Sequence, residues 1–177
     1  MRKKSIALFL ALAFVFVGLT GCGGIISFQD PKEKRREAIS DYLSKDVIGK
    51  TGETYKTKWF EFTIHSIEKV DSYVGRKAEE GHQLYKALIT QKNIWDDSIP
   101  LGIFDFYMDD PGFAEYIWAI PPLDNTMMPE EFTLEINEFV QHVMIFEVPV
   151  GTTKLALMYT ENYEGGNGGA TFSISID

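Results

Sequence analysis

The stretch Trp59-Phe60-Glu61-Phe62-Thr63-Ile64-His65 decides the fold. Phe60, Phe62 and Ile64 alternate with Glu61, Thr63 and His65, and a period of two puts alternate side chains on opposite faces of a pleated strand. The same phase recurs at about 83–91 (Tyr85, Ala87, Ile89), 100–108, 113–119, 131–137 (Phe132, Leu134, Ile136), 142–148, 154–160 (Leu155, Leu157, Tyr159) and 170–176 (Phe172, Ile174, Ile176). Turn chemistry separates these runs: Asp109-Asp110-Pro111-Gly112, the Pro121-Pro122 breaker and the glycine run Glu164 to Gly169. Eight short strands at this spacing predict an all-β sandwich over 58–177, with Phe62, Tyr85, Phe146 and Leu157 sharing one core. The glycine run has no following helix and no P-loop Lys or Ser/Thr, so it reads as a loop.

Upstream of the strands the period changes. Asp30 is a good N-cap, Pro31 suits the first helical position, and Glu33 completes a capping box. Ile39, Tyr42, Leu43 and Val47 then make one apolar stripe of an amphipathic helix over 31–47, with Gly49 to stop it and 49–58 as a connector. Lys32, Lys34, Arg35 and Arg36 crowd its first turns, where they would be the solvated face of a helix that packs its stripe on the β-domain, or would suit an anionic surface. Before it lies a basic start, Arg2, Lys3 and Lys4, and an apolar run from Ile6 to Val17. That run is shorter than the roughly 20 residues a spanning helix needs, which marks a cleaved signal peptide over 1–21. The chain thus divides into signal peptide, a tether with helix over 22–57, and the sandwich.

Leu19-Thr20-Gly21-Cys22 resembles the lipobox of bacterial lipoproteins. The resemblance implies cleavage between Gly21 and Cys22 and a diacylglycerol on the Cys22 thiol, anchoring the chain to the bilayer on the extracytoplasmic face of a bacterium. Trp59 to Ile64, Tyr85 to Thr90 with Gln91-Lys92-Asn93, Phe104 to Asp110, and Ile145 to Pro149 before Leu155-Ala156-Leu157 resemble, in that order, a known domain. It is the immunoglobulin-like domain of Gram-positive lipoproteins of unknown function, related to a secreted mycobacterial antigen. That resemblance implies an immunoglobulin-like β-sandwich on a lipid tether and no established catalysis.

The 177 residues, 45% apolar and 14% aromatic, suffice for one ordinary core. A formal charge of −9 excludes a general nucleic-acid binder, which needs a basic footprint. Cys22 is the single cysteine, so an internal disulfide and a cysteine zinc site are excluded. His65, His82 and His142 lie on separate segments without metal-ligand spacing, and no nucleophile elbow or Ser-x-x-Lys pattern occurs. The reading is therefore a non-enzymatic binding or accessory module without a cofactor. Its alternative is an envelope hydrolase with a scattered catalytic site.

Charge is distributed unevenly. From Asn93 to Thr153 there is no Lys or Arg, while the segment holds twelve acids. Loss of residues 1–21 would remove three bases and no acids, and the rest of the mature chain would then be balanced. Such concentration costs self-repulsion, which a bound cation or a basic partner can offset. Asp96 and Asp97 in one loop with Asp109 and Asp110 in another offer the oxygen ligands calcium prefers. The same surface could steer a basic protein, with Trp95, Tyr107, Tyr116 and Trp118 as aromatic anchors. Solubility beside an anionic envelope is the third reading.

Overall fold

The three longest strands lie side by side. In the computed structural model, which describes residues 46–161 and 169–176, β3 (Phe60–Val70) pairs antiparallel with β4 (His82–Asn93), and β4 with β9 (Phe139–Pro149). With β2 (Thr54–Lys56) on the free side of β3, they form a four-stranded sheet. Facing it is a five-stranded sheet in the order β1 (Val47–Lys50), β11 (Thr171–Ser175), β10 (Ala156–Thr160), β6 (Phe106–Asp109), β7 (Ile117–Trp118). β5 (Ile99–Leu101) and β8 (Phe132–Leu134) pair as a separate ribbon. The two larger sheets pack as a β-sandwich, held by Phe60, Phe62, Ile64, Ala87 and Ile89 from one side and Phe106, Met108, Leu157, Tyr159, Phe172 and Ile174 from the other. Of the four expected core residues, Phe62, Phe146 and Leu157 are buried and Tyr85 packs half-buried against them.

The sandwich begins earlier than residue 58. Val47, expected at the end of a helix, opens β1, which pairs parallel with β11, and the expected connector supplies β1 and β2. Gly49 does not stop a helix; it makes room for the Tyr55 ring, whose hydroxyl would lie 2.0 Å from a Cβ at that position. The Tyr55 hydroxyl accepts the Lys50 N–H (2.6 Å) and lies within donating distance of the Lys50 carbonyl and Glu53 carboxylate (both 2.8 Å). Burial and the Glu53 carboxylate push its pKa up to about 12. The expected signal peptide, Gly21, Cys22, the part of the expected helix over 31–45 and residues 165–168 of the glycine run lie outside the described residues.

Another expectation changes because part of the outer face of the four-stranded sheet is covered too. Val143, Met144, Ile145 and Phe146 are all buried, so strict alternation fails along β9. Met144 and Phe146 face the main core, while Val143 and Ile145 join Leu84, Ile120 and Met127 in a second cluster on the outside. The segment 119–128 covers that face, stitched to β9 by Ile120 N–H to Ile145 O (2.8 Å), Val143 N–H to Thr126 O and Met128 N–H to Val143 O (both 2.9 Å). In β3 a register shift between Ile64 and Ser66 changes the phase, so that Ile67, not Ser66, is aligned with inward Ala87.

The runs at 100–108 and 113–119 are not single strands. The first breaks at Gly102 into β5, a 3-10 turn Ile103–Asp105 and β6; the second is strand only at β7. β8 ends at Leu134, which leaves Ile136 exposed rather than inward.

Candidate functional site

β6 alternates buried Phe106 and Met108 with outward Tyr107 and Asp109. Register sets Tyr107 opposite Trp118 of β7, and Tyr116 precedes that strand. The Tyr107 ring centroid therefore lies 4.5 Å from that of Tyr116 and 5.3 Å from that of Trp118, with Phe104 a further 6.5 Å beyond Trp118. Three of these rings are well exposed: Tyr116 by 55%, Phe104 by 51% and Trp118 by 47%. Rigid exposed aromatics side by side are what recognition surfaces use. Three of the four expected anchors are thus brought together. Trp95 is not among them; it packs edge-on against Trp59 at 5.0 Å, with the Lys58 ammonium 4.6 Å from the Trp59 ring and 5.5 Å from its own.

The four aspartates divide as well. Asp96 and Asp97 are exposed in the loop after β4, and Asp109 shares the outward phase of Tyr107. Asp110, expected to be solvated, is only 4% exposed. Its Oδ1 accepts the Gly112 N–H (2.7 Å), and its Oδ2 accepts those of Thr153 (3.1 Å) and Lys154 (3.2 Å), tying the turn to a loop more than forty residues on. Among the described residues no three His, Cys, Asp or Glu side chains group to hold a metal ion.

The N–H donors, Gly112 foremost, hold the Asp110 carboxyl below the ordinary aspartate value of 3.8. A lowered folded pKa contributes stability that is complete above the unfolded value and disappears as pH falls through the folded one. Asp110→Asn, which turns one acceptor oxygen into a donor facing donors, should therefore melt below the parent at pH 6 and approach it at pH 2–3. Melting curves across that range check this, and a deficit that grows toward low pH would contradict it.

Beside the aromatic patch, the β5–β8 ribbon closes the flank of the sandwich and shapes two concavities. A cleft of about 670 Å³ runs between Leu101, Gly102, Phe104 and Asp105 on one wall and Glu130, Glu131 and Phe132 on the other. A smaller cavity of about 280 Å³ lies between Trp59, Trp95, Asp97, Asp105 and Tyr159. Asp105 lines both. Its Oδ2 accepts the Gly102 N–H (2.7 Å), and burial holds its carboxyl above the ordinary aspartate range against that bond. Sequence reading missed Trp59, Phe104 and Asp105 as site residues. Ile103-Phe104-Asp105-Phe106 looks like strand, and only Gly102 hinted at the break.

The histidines remain apart. The His65 ring is 3.0 Å from Thr90 Oγ1, the His82 ring 3.3 Å from the Glu80 carbonyl, and His142 lies 3.3 Å from Gln91 Oε1, its ring against Phe132. Desolvation lowers the His142 pKa, partly opposed by Glu138.

No family model and no curated protein sequence matches the chain. Solved structures do. A presumptive lipoprotein of Bacillus subtilis, ycdA, is similar at 16% identity and TM-score 0.54 over 75% of this chain, which spans 39% of ycdA. A β-sandwich protein of Clostridium difficile, CD630_09570, is similar at 15% identity and TM-score 0.51, over 76% of this chain and 96% of that one. The secreted protein MPT63 of Mycobacterium tuberculosis is similar at 11% identity and TM-score 0.55, over 73% of this chain and 98% of that one. What the chain shares with these bacterial proteins is the β-sandwich itself.

Proposed function

We propose that this chain is a non-catalytic, immunoglobulin-like binding module of the bacterial cell envelope, anchored by acylated Cys22, that engages a basic protein partner. The observation that carries the partner is the cluster of exposed Tyr116, Trp118 and Phe104 around half-buried Tyr107, on a chain segment with twelve acids and no Lys or Arg. Aromatic faces attract Lys and Arg side chains, and the summed negative field steers them in. The tether is supported by the lipobox-like Leu19 to Cys22, and an envelope location by fold likeness to a presumptive lipoprotein and a secreted protein.

The full chain should bind an immobilised Lys/Arg-rich peptide and not a Glu-rich peptide of equal length, with affinity falling as salt rises. Trp118→Ser should weaken that binding about tenfold or more, the loss of one aromatic anchor. Equal capture by both peptides, or binding untouched by Trp118→Ser, would remove the partner reading. For the anchor, labelled palmitate should enter the parent in a bacterial host and not Cys22→Ala, which should leave the membrane fraction. A parent chain that takes up no label would end the lipoprotein reading.

A further inference from the structure

The smaller of the two concavities has a chemistry of its own. We infer that the 280 Å³ cavity between the Trp59–Trp95 pair and Asp105 binds a neutral polyhydroxylated ligand, a sugar ring. Its volume equals about nine waters at roughly 30 Å³ each, the scale of one such ring with its hydroxyl groups. Its lining includes two indoles, Asp97 and Asp105, and the hydroxyl-bearing residues Ser98, Tyr159 and Thr160, beside an apolar wall supplied by β5.

Each other class of ligand meets an obstacle there. An anion would face two carboxylates. A cation would be drawn by those carboxylates but would find its aromatic contact taken, since the Lys58 ammonium already sits 4.6 Å and 5.5 Å from the two indole rings. An apolar ligand would exclude water from Asp105 and bring no donor to replace it, a costly way to bury an acceptor-only group. A sugar escapes all three: its C–H face packs on indole while its hydroxyls donate to carboxylate oxygens. Asp105 suits that task, because it is already partly desolvated and the Gly102 N–H orients it while leaving acceptor capacity on both oxygens.

Pro100, Leu101 and Asp105 also line the 670 Å³ cleft, so β5 and Asp105 form a wall shared by the two concavities.

Indole fluorescence of the full chain tests this in a Trp118→Phe background, which leaves Trp59 and Trp95 as reporters. The titrants are glucose, galactose and N-acetylglucosamine, with tetramethylammonium as the cationic arm. At least one sugar should give a saturable change, with a Kd of about 1 mM. Trp95→Ala and Asp105→Asn should each weaken it about tenfold, the factor expected for one lost anchor or acceptor. Ser98→Ala alters an exposed side chain, so it should keep the parent melting temperature while weakening binding, and it stands in if either larger change unfolds the protein. The inference is overturned by no saturable sugar response up to about 50 mM, well above that Kd. A response to tetramethylammonium without one to sugars would overturn it equally, as would sugar binding that survives the substitutions in folded protein.

Discussion

Phe62→Ala should cost about 3–5 kcal/mol of folding stability, the range for truncating a buried aromatic without refilling its space. The ring is 2% exposed and stands at the junction of the two sheets. Its centroid lies 5.5 Å from those of Tyr55 and Phe172 and 5.8 Å from those of Phe106 and Tyr159, so the change removes contacts to β2, β6, β10 and β11 together. Flanking rings fixed in strands on both sides cannot collapse far into the void, which favours the upper part of the range. Against a typical domain stability of about 5–15 kcal/mol, such a loss is a large fraction of the whole. Urea unfolding should show a lower midpoint with an unchanged slope. A loss below about 1 kcal/mol, the scale of surface changes, would mean that β3 does not present this face to the core.

Gly102→Ala should also be strongly destabilising, and its sign is the informative part. Gly102 has φ −164°, ordinary extended backbone, where alanine would stabilise by roughly 0.4–1 kcal/mol through a less disordered unfolded chain. Here an added Cβ would lie 2.0 Å from the Glu130 carbonyl oxygen, which is main chain and cannot swing aside. Either the 3-10 turn or the segment leading into β8 must shift, straining the Gly102 N–H bond to Asp105 and the 2.9 Å bond from Ile103 N–H to the Pro129 carbonyl. Overpacking of this kind costs about 1–3 kcal/mol and sometimes more. Thermal melts check the stability. A variant as stable as the parent would show that β5 and β8 do not approach so closely.

The strands that face the core on one side only were legible because their side-chain phase is local. Phe60, Phe62 and Ile64, then Leu157 and Tyr159, then Phe172 and Ile174, announce a buried face by alternation, and all are buried. The expectations that failed depended on distant chain. Val47 and Gly49 carry no mark that separates a helix end from a strand, and what decides is β11, more than a hundred residues later, offering an edge to pair with. Val143 to Phe146 cannot show from their own order that segment 119–128 will cover their outer face.

The candidate sites divide in the same way. Sequence by itself determined that acids would dominate from Asn93 to Thr153 and that aromatic residues lay among them. Tertiary structure decided which of them share a surface. Asp109 and Asp110 are neighbours in the chain, yet one faces outward with Tyr107 while the other is enclosed by the amides of Thr153 and Lys154. Trp95 and Trp118 look alike as anchors, but the chain beyond the paired ends of β3 and β4 sets one against Trp59, while strand register sets the other against Tyr107. Asp105 sits between buried Ile103 and Phe106 in the chain and becomes the wall between two concavities only because Gly102 lets β8 approach. Periodicity is written within a strand, whereas a site is built where separate strands and loops converge, and that convergence follows from sheet order and packing.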